Sequence, residues 1–418
     1  MVVIKNKSII YCIALILLNL SCKKSTSRYD FIVKLSNANQ KELAAILKYY
    51  KGIKEDEKRV MAEYLLDNLP YHTMVKYFIS SNNNIIELKN SRSTDSVDLL
   101  LSKMGYQLKT DTVLIIDILK AQHFIDHINS FYNLRKKYNW ASKINLSDFN
   151  KYILPLRVYN EPLINYTAFY QNRYLPYIED VLVPNVRSET VLENYLAPFF
   201  ESHNNPSNTI SFTSPLEFEK LKDRSKEHTD FKNLKILQNY ALRSLGIPSS
   251  IEYAPFIDNS NRGEMIVSTF DSDHGTFNHH YYSEIYKFRV AKFYRNTFET
   301  RSSINPFFEI YKLGIAYENI PFSLNIPNSI DITSERTKAK DIVIKIDGEK
   351  QTEKVLYLVA GRNDSKIVVS WGQIDPIMMN VCFKNIGTQL TYQLASYKKG
   401  KLKFIGQQFF LDSLGNIR

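Results

Sequence analysis

The pattern of apolar and polar positions is clearest in residues 229–255, where it predicts a helix followed by a strand. Apolar residues recur three or four positions apart on one side of this helix, at Leu234, Leu237, Ala241 and Leu245. Thr229 or Asp230 can accept hydrogen bonds from the first turn, and Gly246 and Pro248 end the helix. From residue 249 to 253 the period changes to two, which is typical of a strand.

The same analysis assigns elements to the rest of the chain. Residues 36–70 show helical spacing, residues 82–96 are polar and predict a loop, and residues 111–135 predict one long helix. From about residue 329 to the end, alternating stretches separated by Gly or Asn predict a run of strands, with a hairpin turn at residues 398–401.

Composition limits the class of protein without identifying a function. The 418 residues suffice for two or three domains, and 44% hydrophobic with 23% charged residues is ordinary globular usage. The net charge of +11 is spread along the chain, and no basic run is interleaved with aromatic residues. We therefore expect no nucleic-acid partner.

The N-terminus has the pattern of an export signal. Lys5 and Lys7 precede an apolar stretch at residues 8–20 that is too short to span a bilayer. The stretch ends in Leu-Asn-Leu-Ser-Cys, which resembles a bacterial lipobox with Cys22 as the lipidated residue. The resemblance implies a signal peptide within residues 1–22 and a membrane anchor of diacylglycerol with an amide-linked palmitate. Lys23 and Lys24 follow without an Asp, which favours the outer membrane of the cell envelope.

Cysteine and histidine positions give little support to metal or cofactor chemistry. With Cys22 acylated, Cys382 remains in the mature chain, so we expect neither an intramolecular disulfide nor a cysteine-ligated zinc. His123 and His127 are four residues apart on one predicted helix face and can either share a metal or stand as partly exposed histidines. We expect no cofactor and no metal.

The helix, the Leu-Gly-Ile-Pro turn and the strand resemble the core of the transglutaminase-like, papain-related family. In that family a nucleophilic Cys lies in the first turn of the helix, where the helix dipole favours the thiolate, and a His in Gly-His-x-Trp opens the next strand. The matching positions here are Phe231 and Glu264, with Ile266 in place of the Trp. The resemblance therefore implies the fold of an enzyme without its catalytic residues, that is, a pseudoenzyme.

Other segments extend this resemblance to bacterial lipoproteins that carry such a core. Residues 146–163 contain ILPLRVYNEPL, in which Arg157 and Glu161 can form a pair that either lines the cleft or only braces the helix. The segment KFYRNTF at residues 292–298 is similar as well. The resemblance implies an α+β fold with an amino-terminal helical region at residues 29–105, a transglutaminase-like core at 106–328 and a carboxy-terminal β-sandwich at 329–418.

Three functions are compatible with these observations. The first is binding of a glycan, peptide or envelope protein in the former catalytic cleft, lined by Phe231, Tyr253, Phe256, Glu264, Asp271, His274, Arg157 and Glu161. The second is a hydrolase or transferase in which Glu264, Asp271 and His274 have taken over acid/base chemistry. The third is a structural or assembly role with no small ligand.

Some residues admit two interpretations each. Asp271, Asp273 and His274 can hold a cation or form a solvated hairpin turn. His279 and His280 can bind a metal or a sugar, or belong to an ordinary strand. Trp371 can stack on a sugar or lie in the core.

Overall fold

The structure is a computed structural model, and it describes residues 36, 38–81, 84–87, 107–158, 161, 163, 165–178, 231–258, 262–278, 289–299, 306–324, 328–346, 353–361 and 366–418. The protein is a mixed α+β structure that divides into two compact units. The first comprises Met1–Ser249 and Thr269–Asn278, and the second Ser250–Ser268 and His279–Arg418. Cys22 and the pair His279 and His280 lie outside the described residues.

The first unit combines helices with a small antiparallel sheet. Its helices are α1 (Gln40–Lys51), α2 (Asp56–Asn68), α3 (Ala121–Lys137), α4 (Asn139–Lys143), α5 (Leu146–Tyr152), α6 (Thr167–Ile178) and α7 (Phe231–Ser244). Its sheet consists of β1 (Thr73–Ser81), β2 (Asn84–Glu87) and β3 (Gln107–Leu114), in the order β2-β1-β3. Both pairs are antiparallel, so β1 is the central strand.

This sheet corrects two predictions from the sequence. The long helix predicted at residues 111–135 is wrong in its first part, because Asp111 to Leu114 pair with Lys76 to Thr73 in β3 and the helix begins at Ala121. The loop predicted at 82–96 includes the short strand β2. In the part of the amino-terminal region that the structure describes, the helices α1 and α2 are followed by the strands β1 and β2. In the first case pairing between strands distant in sequence overrides the helical pattern, and in the second a local hairpin with β1 includes part of the polar segment.

Helix α3 buries one apolar face in the first unit. Its buried face contains Phe124, Ile128, Phe131 and Leu134, spaced three or four residues apart. The side chain of Arg135 ends this face, and its Nη1 donates to the carbonyls of Ala141 and Ile144 at 2.8 and 2.5 Å. These bonds hold α4 and the turn after it against α3.

Strand β4 (Ser249–Ile257) follows α7 at the border of the two units, and β5 (Arg262–Asp271) contributes residues to both. In the first unit, the end of β5 pairs with β6 (Thr276–Asn278) around a tight turn. In the second unit, β5, β4, β7 (Tyr294–Asn296) and β8 (Ser329–Asp331) are neighbours in that order. The predicted helix, glycine stop and strand are confirmed, as is the turn after Asp271.

The carboxy-terminal strands of the second unit form one curled sheet of six strands. The helices α8 (Pro306–Lys312) and α9 (Thr333–Arg336) precede β9 (Ala339–Lys345), β10 (Val355–Ala360), β11 (Ile367–Asp375), β12 (Asn380–Gly387), β13 (Leu390–Lys398) and β14 (Lys401–Leu411). Their order is β14-β13-β10-β11-β12-β9. The expected run of strands is present, and these six strands share one sheet.

Strand β10 lies at the centre of this sheet and is apolar on both faces. Leu356, Leu358 and Ala360 belong to a core cluster with Phe383 and Tyr392. Val355, Tyr357 and Val359 point to the opposite face and pack with residues of α8 and of the turns after it. A continuous apolar run of this kind is expected of a strand covered on both sides.

The hairpin predicted at residues 398–401 is confirmed. Lys399 and Gly400 have φ of 47° and 80°, as the connection between β13 and β14. Two successive positive φ values define the turn type whose twist matches paired strands. In the part of the chain that the structure describes, no helix is both long and apolar enough to cross a membrane.

Candidate functional site

Helix α7 ends in a turn that fixes the direction of β4. Gly246 has φ of 76°, its N–H donates to Arg243 O at 2.9 Å, and the N–H of Ile247 donates to Leu242 O at 2.9 Å. This pair of hydrogen bonds is the Schellman motif, which satisfies the last carbonyls of a helix. The Trp140 indole donates to Leu245 O at 2.8 Å, so α4 also holds the end of α7.

A cluster of buried polar side chains lies beside α7. The Glu161 carboxylate accepts hydrogen bonds from the Tyr240 hydroxyl and from the backbone N–H of Val158, the latter at 2.7 Å. From the next turn of α7, Arg243 donates to Arg157 O at 3.0 Å and to Ser249 O at 3.3 Å. The segment around residues 157–161 is thus tied to α7 by side chains on both elements.

Three further buried side chains extend this cluster. The Tyr166 hydroxyl donates to Pro155 O at 3.1 Å, and its ring lies 3.9 Å from that of Tyr240. His127 of α3 has its Nε2 2.6 Å from Leu154 O. The Arg157 guanidinium donates to Thr73 O, which ties the same segment to β1. Each bond joins a side chain to another element of the first unit.

Burial dominates the electrostatics of this cluster. It lowers the pKa of Arg243 and raises that of Tyr240, in each case because the charged form loses its hydration. Burial also lowers the pKa of His127 to about 3, so this imidazole is neutral at neutral pH. Of the two interpretations of Arg157 and Glu161, these hydrogen bonds favour the bracing of α7.

The other predicted cleft residues differ in their surroundings. Phe231 is the first residue of α7, and its side chain lies outside the description. Phe256 is 1% exposed and belongs to the core of the carboxy-terminal sheet. Tyr253 is half-buried, and its hydroxyl donates to Ser329 Oγ at 3.2 Å. Glu264 on β5 is also half-buried. Of these residues, Tyr253 and Glu264 combine described side chains with partial exposure.

Asp271 and His274 meet in the turn between β5 and β6. Asp271 Oδ2 lies 2.8 Å from His274 Nδ1, and its Oδ1 accepts the backbone N–H groups of Asp273 and His274 at 3.0 and 3.2 Å. Partial burial raises the pKa of Asp271, but the hydrogen bonds from His274 and Asp273 outweigh it and lower the pKa below its usual range. These are the contacts of a carboxylate that caps its own hairpin turn.

The second unit contains a buried ionic network that sequence analysis missed. The carboxylate of Glu252 on β4 is bound by Arg295 of β7 and Arg336 of α9, and the three side chains are 0%, 7% and 5% exposed. Arg295 also bonds Glu335 at 2.8 Å. Glu252 sits in an alternating strand, and Arg295 lies in the KFYRNTF segment, but nothing local to either residue reveals the pairing.

The described residues that the sequence suggested for metal binding or stacking have the surroundings of ordinary buried or half-buried side chains. His123 lies on the same helix as the buried His127, and burial lowers its pKa. Among the described residues there is no group of three His, Cys, Asp or Glu side chains able to hold a metal ion. Cys382 is a free, half-buried cysteine in β12. Trp371 packs partly buried against the apolar cluster around Tyr357.

Comparisons of the chain with protein-family models, with curated proteins and with solved structures find no match.

Proposed function

We propose that this chain is a lipid-anchored envelope protein in which a transglutaminase-like core, stripped of its catalytic pair, binds a ligand instead of converting it. The resemblance supplies the expected order of helix, Gly turn and paired strands. The elements α7, β4 and β5 follow in that order, with Gly246 in the positive-φ conformation. This order supports the proposal.

The observation that carries the proposal is the pair of residues at the two matching positions. Phe231 is the first residue of α7, and Glu264 lies near the start of β5. A phenyl ring cannot attack a carbonyl, and a carboxylate does not activate such a ring, so the acyl-transfer chemistry of this family has neither of its reacting groups.

The cluster beside α7 also agrees with a non-catalytic role. Its buried side chains are hydrogen-bonded to other elements of the same unit, and burial lowers the pKa of His127 and raises that of Tyr240, in both cases away from the range useful for proton transfer near neutral pH. The cluster therefore holds α7 and the segment around Arg157 in place. We assign the ligand to the half-buried residues Tyr253 and Glu264.

Tyr253 and Glu264 lie on neighbouring strands of the second unit. A Cβ built on Gly263 would lie 2.9 Å from Ala254 O and 3.1 Å from Pro255 O, so β5 runs close to β4 there. A tyrosine ring offers a stacking face and a carboxylate offers a hydrogen-bond acceptor, and both suit a sugar or a peptide. The ligand classes are a glycan, a peptide or an envelope protein.

Membrane attachment in this proposal comes from the lipidated Cys22. Residues 1–35 lie outside the description, so the signal pattern Lys5, Lys7 and Leu-Asn-Leu-Ser-Cys is the support for it. Outer-membrane placement follows from Lys23 and Lys24. Loss of palmitate incorporation in a Cys22→Ala variant is the expected result of metabolic labelling.

A second candidate function is acid/base catalysis by Glu264, Asp271 and His274. One contact favours it: Asp271 holds His274 Nδ1 at 2.8 Å and thereby leaves Nε2 for proton transfer. His274 is 72% exposed on a hairpin turn, however, and catalytic groups usually lie in sheltered sites. Binding is the function that the geometry supports better.

The test is a thermal-shift screen of the chain from Lys23 to Arg418 against oligosaccharides, peptidoglycan fragments and short peptides. A ligand at a hundred times its Kd stabilises the folded state by about 2.7 kcal/mol, which raises the Tm by several degrees. We expect the shift to vanish in Glu264→Ala and Tyr253→Ala and to persist in Glu318→Ala, which removes an exposed carboxylate elsewhere in the same unit. The proposal for small ligands is contradicted if none of the three ligand classes raises the Tm, or if the Tm shift is equal in all variants.

A further inference from the structure

Two large apolar side chains are exposed at the tip of the hairpin between β11 and β12. Ile377 is 88% exposed and Met378 is 66% exposed, the highest and third-highest values among exposed large hydrophobic residues in the described part of the chain. They are adjacent in sequence, so together they form one apolar tip. Exposed apolar side chains placed together mark interaction sites more often than single ones do.

The backbone of this tip is held in one conformation. Asp375 Oδ1 accepts the N–H groups of Ile377 and Met378 at 2.8 and 3.0 Å. Met379 takes a positive φ of 48° and closes the loop. The two side chains are therefore presented without the entropic cost of ordering a flexible loop.

The register of the sheet brings a basic hairpin to the same end. Val355 pairs with Gln373, so β10 begins where β11 ends. Tyr357 pairs with Ala395, so β13 ends at that end as well, and Lys398 pairs with Lys401 across the turn. The two hairpin tips are three strand spacings apart, about 14 Å in a flat sheet.

Charges at this end are mostly positive. Lys398, Lys399 and Lys401 are exposed, as is Lys345, which pairs with Asn380 next to the apolar tip. Among the described residues, the acidic side chains at this end include Glu353 before β10 and Glu318, next to the Asn319 side chain that accepts the N–H of Lys399. They also include Asp375, whose carboxylate is occupied by the loop's own N–H groups. We name the apolar pair Ile377 and Met378 with the lysines 345, 398, 399 and 401 the hairpin edge.

We propose that the hairpin edge docks on the surface of a bilayer that contains anionic phospholipids. Ile377 and Met378 would enter the boundary between headgroups and acyl chains, and the lysines would contact lipid phosphates. A protein partner fits less well, because two tip side chains offer far less apolar area than the core of a stable interface. Binding to a lipid surface requires only a small inserted apolar group together with positive charge.

This inference is independent of the ligand at Tyr253 and Glu264. It gives the second unit its own contact with the membrane to which the proposed anchor at Cys22 tethers the chain, so that one lipid group need not provide all the attachment. A failure of either proposal leaves the other intact, because vesicle binding by an unacylated chain involves neither the anchor nor the ligand.

The test is vesicle co-sedimentation of the unacylated chain Lys23–Arg418. We expect it to bind vesicles of phosphatidylcholine with about a third phosphatidylglycerol and to be released when NaCl rises from about 0.1 to about 0.5 M. Pure phosphatidylcholine should bind it weakly. Replacing Lys398, Lys399 and Lys401 by Gln should weaken partitioning by about five-fold for each lysine.

Matched variants distinguish binding through the hairpin edge from non-specific adsorption to vesicles. Ile377→Ser with Met378→Ser should weaken binding at least about ten-fold. Leu414→Ser, which removes a 73% exposed side chain beyond the opposite end of β14, should bind like the parent chain. Replacing Lys41, Lys48 and Lys51 of α1 by Gln should lower vesicle binding far less than replacing the three hairpin lysines by Gln.

A second measurement reports insertion directly. Met378→Cys in a Cys382→Ala background, labelled with an environment-sensitive fluorophore, should shift its emission to the blue on anionic vesicles. The same label at Leu414→Cys should not. Absence of vesicle binding by the parent chain, equal binding by all variants, or an unchanged emission at position 378 would overturn the proposal, and a protein docking at this edge would then be the outcome to pursue.

Discussion

Arg336 and Glu252, 84 residues apart in sequence, form a bidentate ion pair inside the second unit. Arg336 Nε lies 2.7 Å from Glu252 Oε2, and its Nη2 lies 2.7 Å from Oε1. Arg295 approaches the same carboxylate with its Nε at 2.8 Å from Oε1. Two guanidinium groups therefore share one fully buried carboxylate and tie β4, β7 and α9 together.

Removing the shared carboxylate should destabilise the protein strongly. In Glu252→Ala two buried arginines lose their common partner, and loss of one member of a buried pair typically costs about 3–5 kcal/mol. Urea denaturation followed by circular dichroism measures the loss. The control is Glu335→Ala, which removes a half-exposed partner of Arg295 and should cost less than about 1 kcal/mol. Similar losses in both variants would show that the network is not the source of stability.

The hydrogen bond between Tyr240 and Glu161 in the first unit can be tested with a less disruptive substitution. Tyr240→Phe keeps the ring and removes the hydroxyl that donates to the buried carboxylate, so we expect a loss of about 1–3 kcal/mol. Tyr49→Phe alters a ring that is 39% exposed and should change the free energy of unfolding by less than about 0.5 kcal/mol. If Tyr240→Phe proves as mild as Tyr49→Phe, the bracing role assigned to Glu161 is wrong.

Gly246 is required both for its backbone conformation and for space. Its φ of 76° costs other residues about 1–2 kcal/mol, and a Cβ there would lie 2.9 Å from Ala141 Cβ. Gly246→Ala should therefore lose that amount plus about 1–3 kcal/mol for the clash. Gly400→Ala provides the comparison, because its φ of 80° is similar and nothing lies within 4 Å of the added atom. Equal losses in the two variants would exclude the steric contribution.

Local sequence patterns predicted the elements around Gly246 well. The apolar stripe of α7, the glycine that stops it and the alternation in β4 are set by residues within a few positions of one another. The turn at Asp271 and the hairpin at Lys399 and Gly400 are equally local, since side-chain capping and positive φ determine them.

Contacts between distant residues were not predictable in this way. Residues 111–114 continue naturally into the helical pattern of α3, and their pairing with residues 73–76 of β1 decides otherwise. Glu252 meets Arg295 and Arg336 across 43 and 84 residues, so no short-range spacing indicates the network. The family resemblance placed Phe256 in the cleft, but packing against the carboxy-terminal sheet makes it a core residue.

His127 should make stability depend on pH. Its folded-state pKa of about 3 lies below the unfolded value, so between these values the unfolded chain binds a proton that the folded chain does not. This contribution is complete above about pH 6.5 and is lost progressively as the pH falls towards 3. Between about pH 7.5 and about pH 5 we expect a loss of about 2 kcal/mol from this residue.

The measurement compares His127→Gln with the parent chain by urea denaturation at both pH values. The variant should lose about 2 kcal/mol less on acidification, whatever its stability at neutral pH. His274→Gln is the control, because that side chain is 72% exposed on a surface turn. An identical pH dependence in the parent and the His127 variant would contradict neutral burial of this imidazole.

Restoring the nucleophile alone should not restore catalysis. In Phe231→Cys a thiol stands at the first residue of α7, but in the proposed match to the family the position of the base that would accept its proton holds Glu264 instead of a His. We expect the variant, like the parent chain, to show no iodoacetamide-sensitive transfer from glutamine or amide substrates. The double variant Phe231→Cys with Glu264→His provides the informative comparison, because it supplies both reacting groups. Turnover in the single variant would reveal another base within reach of position 231, with His274 the first to test by substitution, and would favour acid/base chemistry over simple binding.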